Sequence, residues 1–271
     1  MALRPITFLS DYGYSDEFAG VCRAVIASIA PEARVIDITH GIGRHAVRQG
    51  AVVLANSLPF APVGVHLAVV DPGVGSDRRP VAVEAGDQGR ILVGPDNGLL
   101  SLAVERLGGA QGAVDLSSSS FQLEQRSMTF HGRDLFAPVA AHLSSGATLD
   151  QAGEPIDPAG LIRLELPEPR LYPNRAVAHV VHVDGFGNVA LNLAPGQLST
   201  GFLQSGAKVA LEAGRSSVHA HFGQAFSDVA AGEVVVYEDS SGSLAIAVNR
   251  GSAANVLSLS ADDEVVLVRH G

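Results

Sequence analysis

Val69 to Arg79 reads VVDPGVGSDRR, and the way this stretch is taken decides the fold. An apolar run from Val65 to Val70 stops at Asp71. Pro72, Gly73 and Gly75 then force a turn that leaves the carboxylate at the exit of a buried strand. Arg78 follows seven residues after Asp71. In open α/β sheets ligands lie beyond the carboxyl ends of the strands, so a charged pair at such an exit is where chemistry is expected. The other reading is that Asp71 only caps the turn and Arg78 only pairs with it; taken alone, the stretch leaves both open.

Outward from this stretch, strands and helices alternate. Towards the N-terminus, Ile6 to Ser10 is a short apolar run closed by the polar segment Asp11 to Asp16. Phe18, Val21, Val25 and Ile29 then recur at helical spacing, with Ser15 or Asp16 placed to cap the first turn. Val35 to Ile38 gives another strand, and Ala46 to Leu58 a helix. Towards the C-terminus, Val81 to Ala85 and Ile91 to Val93 are strands joined by a turn at Gly86 to Gly89, and a helix follows at Leu99 to Leu107. Phe121 to Met128 shows no clear pattern. It leads into Thr129 to Asp134 (TFHGRD) and a helix that turns Leu135, Phe136, Val139 and Leu143 to the core.

This order predicts an α/β domain over 1–158, a mostly parallel sheet sandwiched by helices. Prolines 155, 158, 167, 169 and 173 mark 159–173 as a linker. Over 174–271 the pattern becomes short alternating runs, at Ala176 to Val183, Lys208 to Ala213, Glu233 to Tyr237, Leu244 to Val248 and Glu264 to Val268. They predict a C-terminal antiparallel β-barrel-like domain.

Composition narrows the function classes. The 271 residues are 46% hydrophobic and 17% charged, as in an ordinary globular protein. A net charge of −10 argues against a nucleic-acid partner, which needs a basic face. Cys22 is the only cysteine, so no intrachain disulfide forms and a reducing compartment is permitted. No apolar stretch is long enough for a signal peptide or a membrane span, and a cytoplasmic protein without membrane contact is the expectation. Lys208 is the sole lysine, which excludes a Walker A lysine and argues against Schiff-base catalysis.

Three segments of the first domain set polar groups at strand ends or helix starts: Asp11 to Asp16, Asp71 to Arg78 and His131 to Asp134. A carboxylate, an arginine and a histidine converging there could orient and polarise a water. In the second domain Val183 to Asn188 (VDGFGN) is either a tight hairpin or a place where the Phe186 ring and the Asn188 amide meet a heteroaromatic base. Ser240-Ser241-Gly242 and Asn249-Arg250-Gly251 are either turns or sources of contacts to a ligand. His179 and His182 fall on opposite faces of a strand. His219 and His221 share a face but lack a cysteine or a clear carboxylate partner, so no metal is expected.

Taken in order, LSDYGYSD (Leu9 to Asp16), DITH (Asp37 to His40), VVDPGVGSDRR, GPDNGLL (Gly94 to Leu100), TFHGRD and VDGFGN resemble the S-adenosyl-L-methionine hydroxide adenosyltransferase family, relatives of the bacterial fluorinase and chlorinase. The resemblance runs from about Ile6 to the end of the chain. It implies an α/β domain followed by a β-barrel-like domain, and a homotrimer whose active sites lie at subunit interfaces. It also implies hydrolysis of S-adenosyl-L-methionine to adenosine and L-methionine, by water or hydroxide attacking the ribose C5′, with no cofactor.

The family's catalytic Asp, Arg and His fall on Asp71, Arg78 and His131. Asp11 matches the carboxylate that binds the ribose hydroxyls. Asp16 and Asp184 match groups near the methionine amino end, and Ser240 one near its carboxylate. Asn188, with backbone near Asn249, Arg250 and Gly251, matches the reader of the adenine edge, and Phe186 and Phe226 lie where they would pack beside the base. The halogenases have a tyrosine in place of Asp71 and lack the triad, and the fluorinase has a serine at the position of Gly132. The chain departs from the fluorinase pattern at His45, Ala190 and Ser241, positions tied to base stacking and carboxylate anchoring. A halide-using enzyme and a non-catalytic sensor of S-adenosyl-L-methionine or adenosine are the alternative functions.

Overall fold

Alternation along the strands Ile6–Ser10 and Val65–Val69 supplies both faces of a central sheet. Ile6, Phe8, Leu67 and Val69 belong to the core on one side, Leu9 and Ala68 to the core on the other. The computed structural model describes residues 3–198, 202–203, 206–214 and 216–269. The chain divides between Leu164 and Glu165 into two compact units.

The first unit runs β1 (Ile6–Ser10), α1 (Phe18–Ile29), β2 (Val35–Thr39), α2 (Val47–Ser57), β3 (Val65–Val69), β4 (Pro80–Ala85), β5 (Arg90–Pro95), α3 (Ser101–Arg106) and β6 (Ala110–Asp115). A π-helical turn, Gly132–Phe136, then opens α4 (Ala137–Ser144), and α5 (Leu149–Ala152) and β7 (Glu154–Ile156) follow. The sheet order is β2-β1-β3-β5-β4-β6-β7. β2, β1, β3 and β5 run parallel, whereas β4, β6 and β7 join antiparallel, so the expected mostly parallel sheet is in fact mixed. The turn between β4 and β5 is too short for a crossover, and a tight turn returns the chain antiparallel. β6 and β7 carry no clean apolar alternation, and β7 holds Pro155 at the sheet edge, where a missing N–H is tolerated.

One face packs on α1 and α4 through residues such as Cys22, Ile26, Val139 and Leu143, and the other on α2 and α3 through Leu54, Ala55 and Ala103. Fully buried side chains such as Phe8 and Phe136 each stabilise the fold by about 2–3 kcal/mol. Neither Ser15 nor Asp16 caps α1; Glu17 holds the N-cap position without a side-chain bond. Residues 159–164 pack within the first unit: the Ile162 N–H donates to Asp96 Oδ1 at 2.8 Å and the Leu164 N–H to Ser101 Oγ at 3.0 Å.

The second unit contains β8 (Arg170–Leu171), β9 (Arg175–Val183), β10 (Val189–Leu191), β11 (Lys208–Ala213), β12 (Ser216–Phe222), β13 (Val234–Glu238), β14 (Leu244–Val248), α6 (Ala253–Leu257) and β15 (Glu264–Arg269). The strands follow the order β10-β14-β13-β12-β11-β15-β9, and β9 pairs again with β10 to close a seven-stranded barrel, with β8 appended to β9. All pairings are antiparallel except β12 with β13, which is parallel, so this barrel is also mixed. Between them the chain recrosses through a 3-10 turn at Phe226–Asp228, so β13 starts from the same end as β12. Val180, Leu191, Leu211, Val236, Ile246 and Leu267 are among the side chains of its core. No helix among the described residues is long and apolar enough to cross a membrane.

Candidate active site

β1 and β3 are parallel neighbours, so the segments leaving their carboxyl ends emerge side by side. The Asp11 N–H donates to the Val69 carbonyl at 3.4 Å, tying the two exits together. A cavity of about 360 Å³ opens there, its wall including Asp11, Asp16, His45, Asp71, Phe130 and His131. Asp11 accepts the His45 N–H on Oδ2 at 3.0 Å. His45 itself takes a left-handed backbone, φ 63°.

Both structural roles weighed for Asp71 and Arg78 are present. The Asp71 carboxylate accepts from the Gly73 N–H, and Arg78 donates to it in a bidentate pair, Nε to Oδ1 at 3.0 Å and Nη2 to Oδ2. The pair also reaches further: Arg78 Nη2 lies 3.2 Å from His131 Nδ1. Both side chains are almost fully buried, and the Arg78 guanidinium lies 5.5 Å from the Phe136 ring centre. Burial raises the Asp71 carboxyl above its ordinary value, more strongly than Arg78 lowers it.

His131 stands at the start of the π turn, a local distortion of a kind often found at functional sites. A second guanidinium meets it. Arg126 Nη2 is 3.2 Å from His131 Nε2 and 3.5 Å from Nδ1. Arg126 Nη1 is held by the Ser117 carbonyl and Gln122 Oε1, each at 3.2 Å. Burial first, then the charges of Arg126 and Arg78, push His131 down to about 4, against a smaller opposing pull from Asp134. The sequence reading gives Arg126 no role, because its loop lacks periodicity. The available signal was its isolation as the only basic residue between Arg106 and His131.

The loop is fixed from beneath. Asp134, fully buried, accepts the Ser127 N–H on Oδ2 at 2.7 Å and pairs with Arg133, and its own carbonyl accepts the Leu123 N–H at 2.8 Å. Tyr12, also on the cavity wall, packs its ring against Phe8, Phe18 and Phe130. A carboxylate and an imidazole bridged by one guanidinium, opening on a cavity, can hold a water and weaken its O–H bond.

The remaining candidate residues lie in the second unit. Asp184 Oδ1 accepts the N–H groups of Phe186 and Asn188 at 2.8 and 2.9 Å, and Oδ2 accepts from the Asn188 amide at 2.8 Å. This closes the hairpin, leaves Asn188 its carbonyl oxygen and presents the Phe186 ring to solvent. Phe226 meets Tyr237 edge to face at 5.1 Å. Asn249 donates its amide to the Val229 carbonyl at 2.8 Å, and Arg250 adopts a left-handed φ of 60°. Ser240 and Asn249 flank opposite ends of β14, roughly 17 Å of strand apart. Ala190 lies on β10, and the Ser241 N–H is taken by Asp239. Among the described residues no group of three or more His, Cys, Asp or Glu could hold a metal ion.

Residues 6–153 match the SAM hydroxide adenosyltransferase N-terminal domain and residues 178–266 the corresponding C-terminal domain. The chain is 45% identical over 261 residues to a protein of Salinispora tropica named (R)-S-adenosyl-L-methionine hydrolase, covering 96% of each. It is 29% identical to a protein of Nocardia brasiliensis named fluorinase, covering 95% of each. A crystal structure of an uncharacterized conserved protein from Thermotoga maritima superposes with a TM-score of 0.89 at 37% identity, covering 97% of this chain and 100% of that one. The chain therefore belongs to the SAM hydroxide adenosyltransferase family, to which the fluorinases are related.

Proposed function

We propose that this chain hydrolyses S-adenosyl-L-methionine to adenosine and L-methionine at the cavity beyond β1 and β3. The observation that carries the reading is the contact chain Asp71–Arg78–His131 on the wall of that cavity, which also presents Asp11 and Asp16. The chain matches both hydrolase-named and fluorinase-named proteins along nearly its whole length, with the higher identity to the hydrolase.

The chemistry suits the equipment. A sulfonium leaves C5′ as a neutral thioether, so no acid is needed for the leaving group. What must be supplied is a water behind C5′, aligned with the breaking C–S bond, and an acceptor for its proton. As the C5′–O bond forms, the C5′–S electron pair returns to sulfur and the proton passes to the site. Asp71 is the acceptor best suited, a carboxylate made more basic by burial, while Arg78 orients it and ties it to His131. Asp11 keeps Oδ1 for the ribose hydroxyls. Asp16 stands at the methionine amino end. A halide brings no proton to remove, so halide attack leaves the Asp71 carboxylate without a task.

Asp184, Phe186, Asn188, Phe226, Ser240, Asn249 and Arg250 are assigned to the adenine and methionine ends of the substrate, in a homotrimer whose subunits complete one another's sites. Light scattering of the purified protein checks the trimer. The activity is tested by incubating the protein with each sulfonium epimer of S-adenosyl-L-methionine, with and without chloride or fluoride, and resolving the nucleosides. Adenosine and methionine in equal amounts, favoured from the R epimer named in the relative, is the expected result. A 5′-halogenated nucleoside, or tight nucleoside binding without turnover, would replace this reading with a halogenase or a sensor.

A further inference from the structure

We propose that Arg126 is a positioning residue that locks His131 in its neutral form, so that the nucleophile's proton goes to Asp71 and not to the imidazole. The assignment of the proton rests on the hydrolytic reading above; the lock on His131 does not.

The geometry carries the lock. A guanidinium has five N–H donors and no acceptor. Arg78 Nη2 lies 3.2 Å from His131 Nδ1, whereas Arg126 Nη2 lies 3.2 Å from Nε2 and 3.5 Å from Nδ1, over the ring and not in line with the Nε2 lone pair. A neutral imidazole with its proton on Nε2 keeps the in-plane Nδ1 lone pair for Arg78. An imidazolium has none, and would set its Nδ1–H against Arg78 while adding a third positive charge beside two guanidiniums, one of them over the ring. Protonation therefore requires at least one arginine to withdraw. Arg126 cannot do so freely: its Nη1 is held by Ser117 and Gln122, and Asp134 fixes the adjoining Ser127 N–H.

The charges facing His131 come from each neighbouring element. Arg78 enters from the turn after β3, with Asp71 behind it; Arg126 enters from the 121–130 loop; Asp134 lies below, in the π turn. Asp71 is committed to Arg78 and Asp134 to Arg133, so Arg126 has no ion pair of its own among the described residues. Its Nε and Arg78 Nη1 are buried without hydrogen-bond partners. The site carries an excess of positive charge around the imidazole. This opposes an imidazolium and favours a water that is losing its proton to Asp71.

Side-chain ¹⁵N NMR of histidine-labelled protein tests the lock without any need for turnover, with the His131 signal assigned by its loss in His131→Gln. In the wild type His131 stays neutral through the weakly acidic range. Arg126→Gln raises its midpoint by about one unit, a tenfold gain in proton affinity. Arg126→Lys, which keeps the charge, leaves it near the wild-type value. Gln122→Ala, which only loosens Arg126, moves it in the same direction by less and serves if Arg126→Gln fails to fold. On the activity side, the acid limb of kcat/KM reports Asp71 and stays near its wild-type position in Arg126→Gln, with KM within about twofold. An unchanged His131 midpoint in folded Arg126→Gln or Gln122→Ala overturns the lock. An acid limb that follows the moved His131 midpoint overturns the assignment of the proton to Asp71. Absence of turnover with a moved midpoint removes the hydrolytic reading and leaves the lock standing.

Discussion

A Cβ on Gly132 would stand 2.0 Å from the Tyr12 hydroxyl, and the Tyr12 ring has no room to retreat among Phe8, Phe18 and Phe130. Gly132→Ala is expected to lower stability by about 1–3 kcal/mol, read as a fall in Tm. Adding Tyr12→Phe, which removes the clashing oxygen, recovers part of the loss; no recovery would mean that the two residues are not in conflict. Gly75, at φ 79° and with a carbonyl, that of Met128, 2.7 Å from where its Cβ would lie, is fixed for a similar reason in the turn that carries Arg78. Basicity is also set residue by residue. Asp71 is raised from 3.8 and His131 lowered from 6.5 to about 4, so the usual advantage of imidazole over carboxylate as a base is erased. Activity is accordingly expected to fall with acid as Asp71 takes a proton. A pH–rate profile should show no further inflection at the ordinary imidazole value, and a clear one there would make His131 the base.

At the scale of elements, the site depends on the loop from Phe121 to Phe130, which has no regular structure and takes its shape from Asp134. Asp134→Ala removes the acceptor of the Ser127 N–H and the partner of Arg133, a loss of about 2 kcal/mol. It should lower kcat more than it raises KM, since it releases the loop that presents Arg126 to His131; a proportional loss in KM alone would give the loop a role only in binding. The parts of the fold legible in the sequence are those with a local period. β1, β3, β4, β5, β14 and the helices α1, α2 and α4 each carry an apolar pattern that marks them. Strand direction has no such local signature, which is why the sheet and the barrel both prove mixed. β12 was missed because Ser216, Ser217, His219 and His221 interrupt its apolar content. At the site, the turn at Asp71 and the TFHGRD segment stand out by their residue types, and the structure joins them through Arg78. Arg126 does not stand out, because its meaning lies in a contact that only the folded loop creates.

For the whole molecule, the buried histidines make stability depend on pH. His66 is fully buried, donates from Nδ1 to Thr7 Oγ1 at 2.9 Å and accepts on Nε2 from Arg90 at 3.3 Å, and burial pushes it down to about 3. The tautomer follows from Arg90, which can only donate. As pH falls below 6.5 the unfolded chain binds a proton that native His66 refuses. Stability present above that pH is thus lost towards pH 4, on the order of 3 kcal/mol from this group alone. Tm should fall across this window, with a shallower slope in His66→Gln; a flat profile would contradict the burial of a neutral imidazole. Under the proposed hydrolysis Asp71 turns a water into the nucleophile. This role is tested most directly by single-turnover hydrolysis of S-adenosyl-L-methionine by the wild type and Asp71→Asn in ¹⁸O-labelled water. One ¹⁸O in the 5′-hydroxyl of adenosine and a rate about 10²–10⁴-fold lower in the variant are expected. Equal rates in the two proteins would contradict this role.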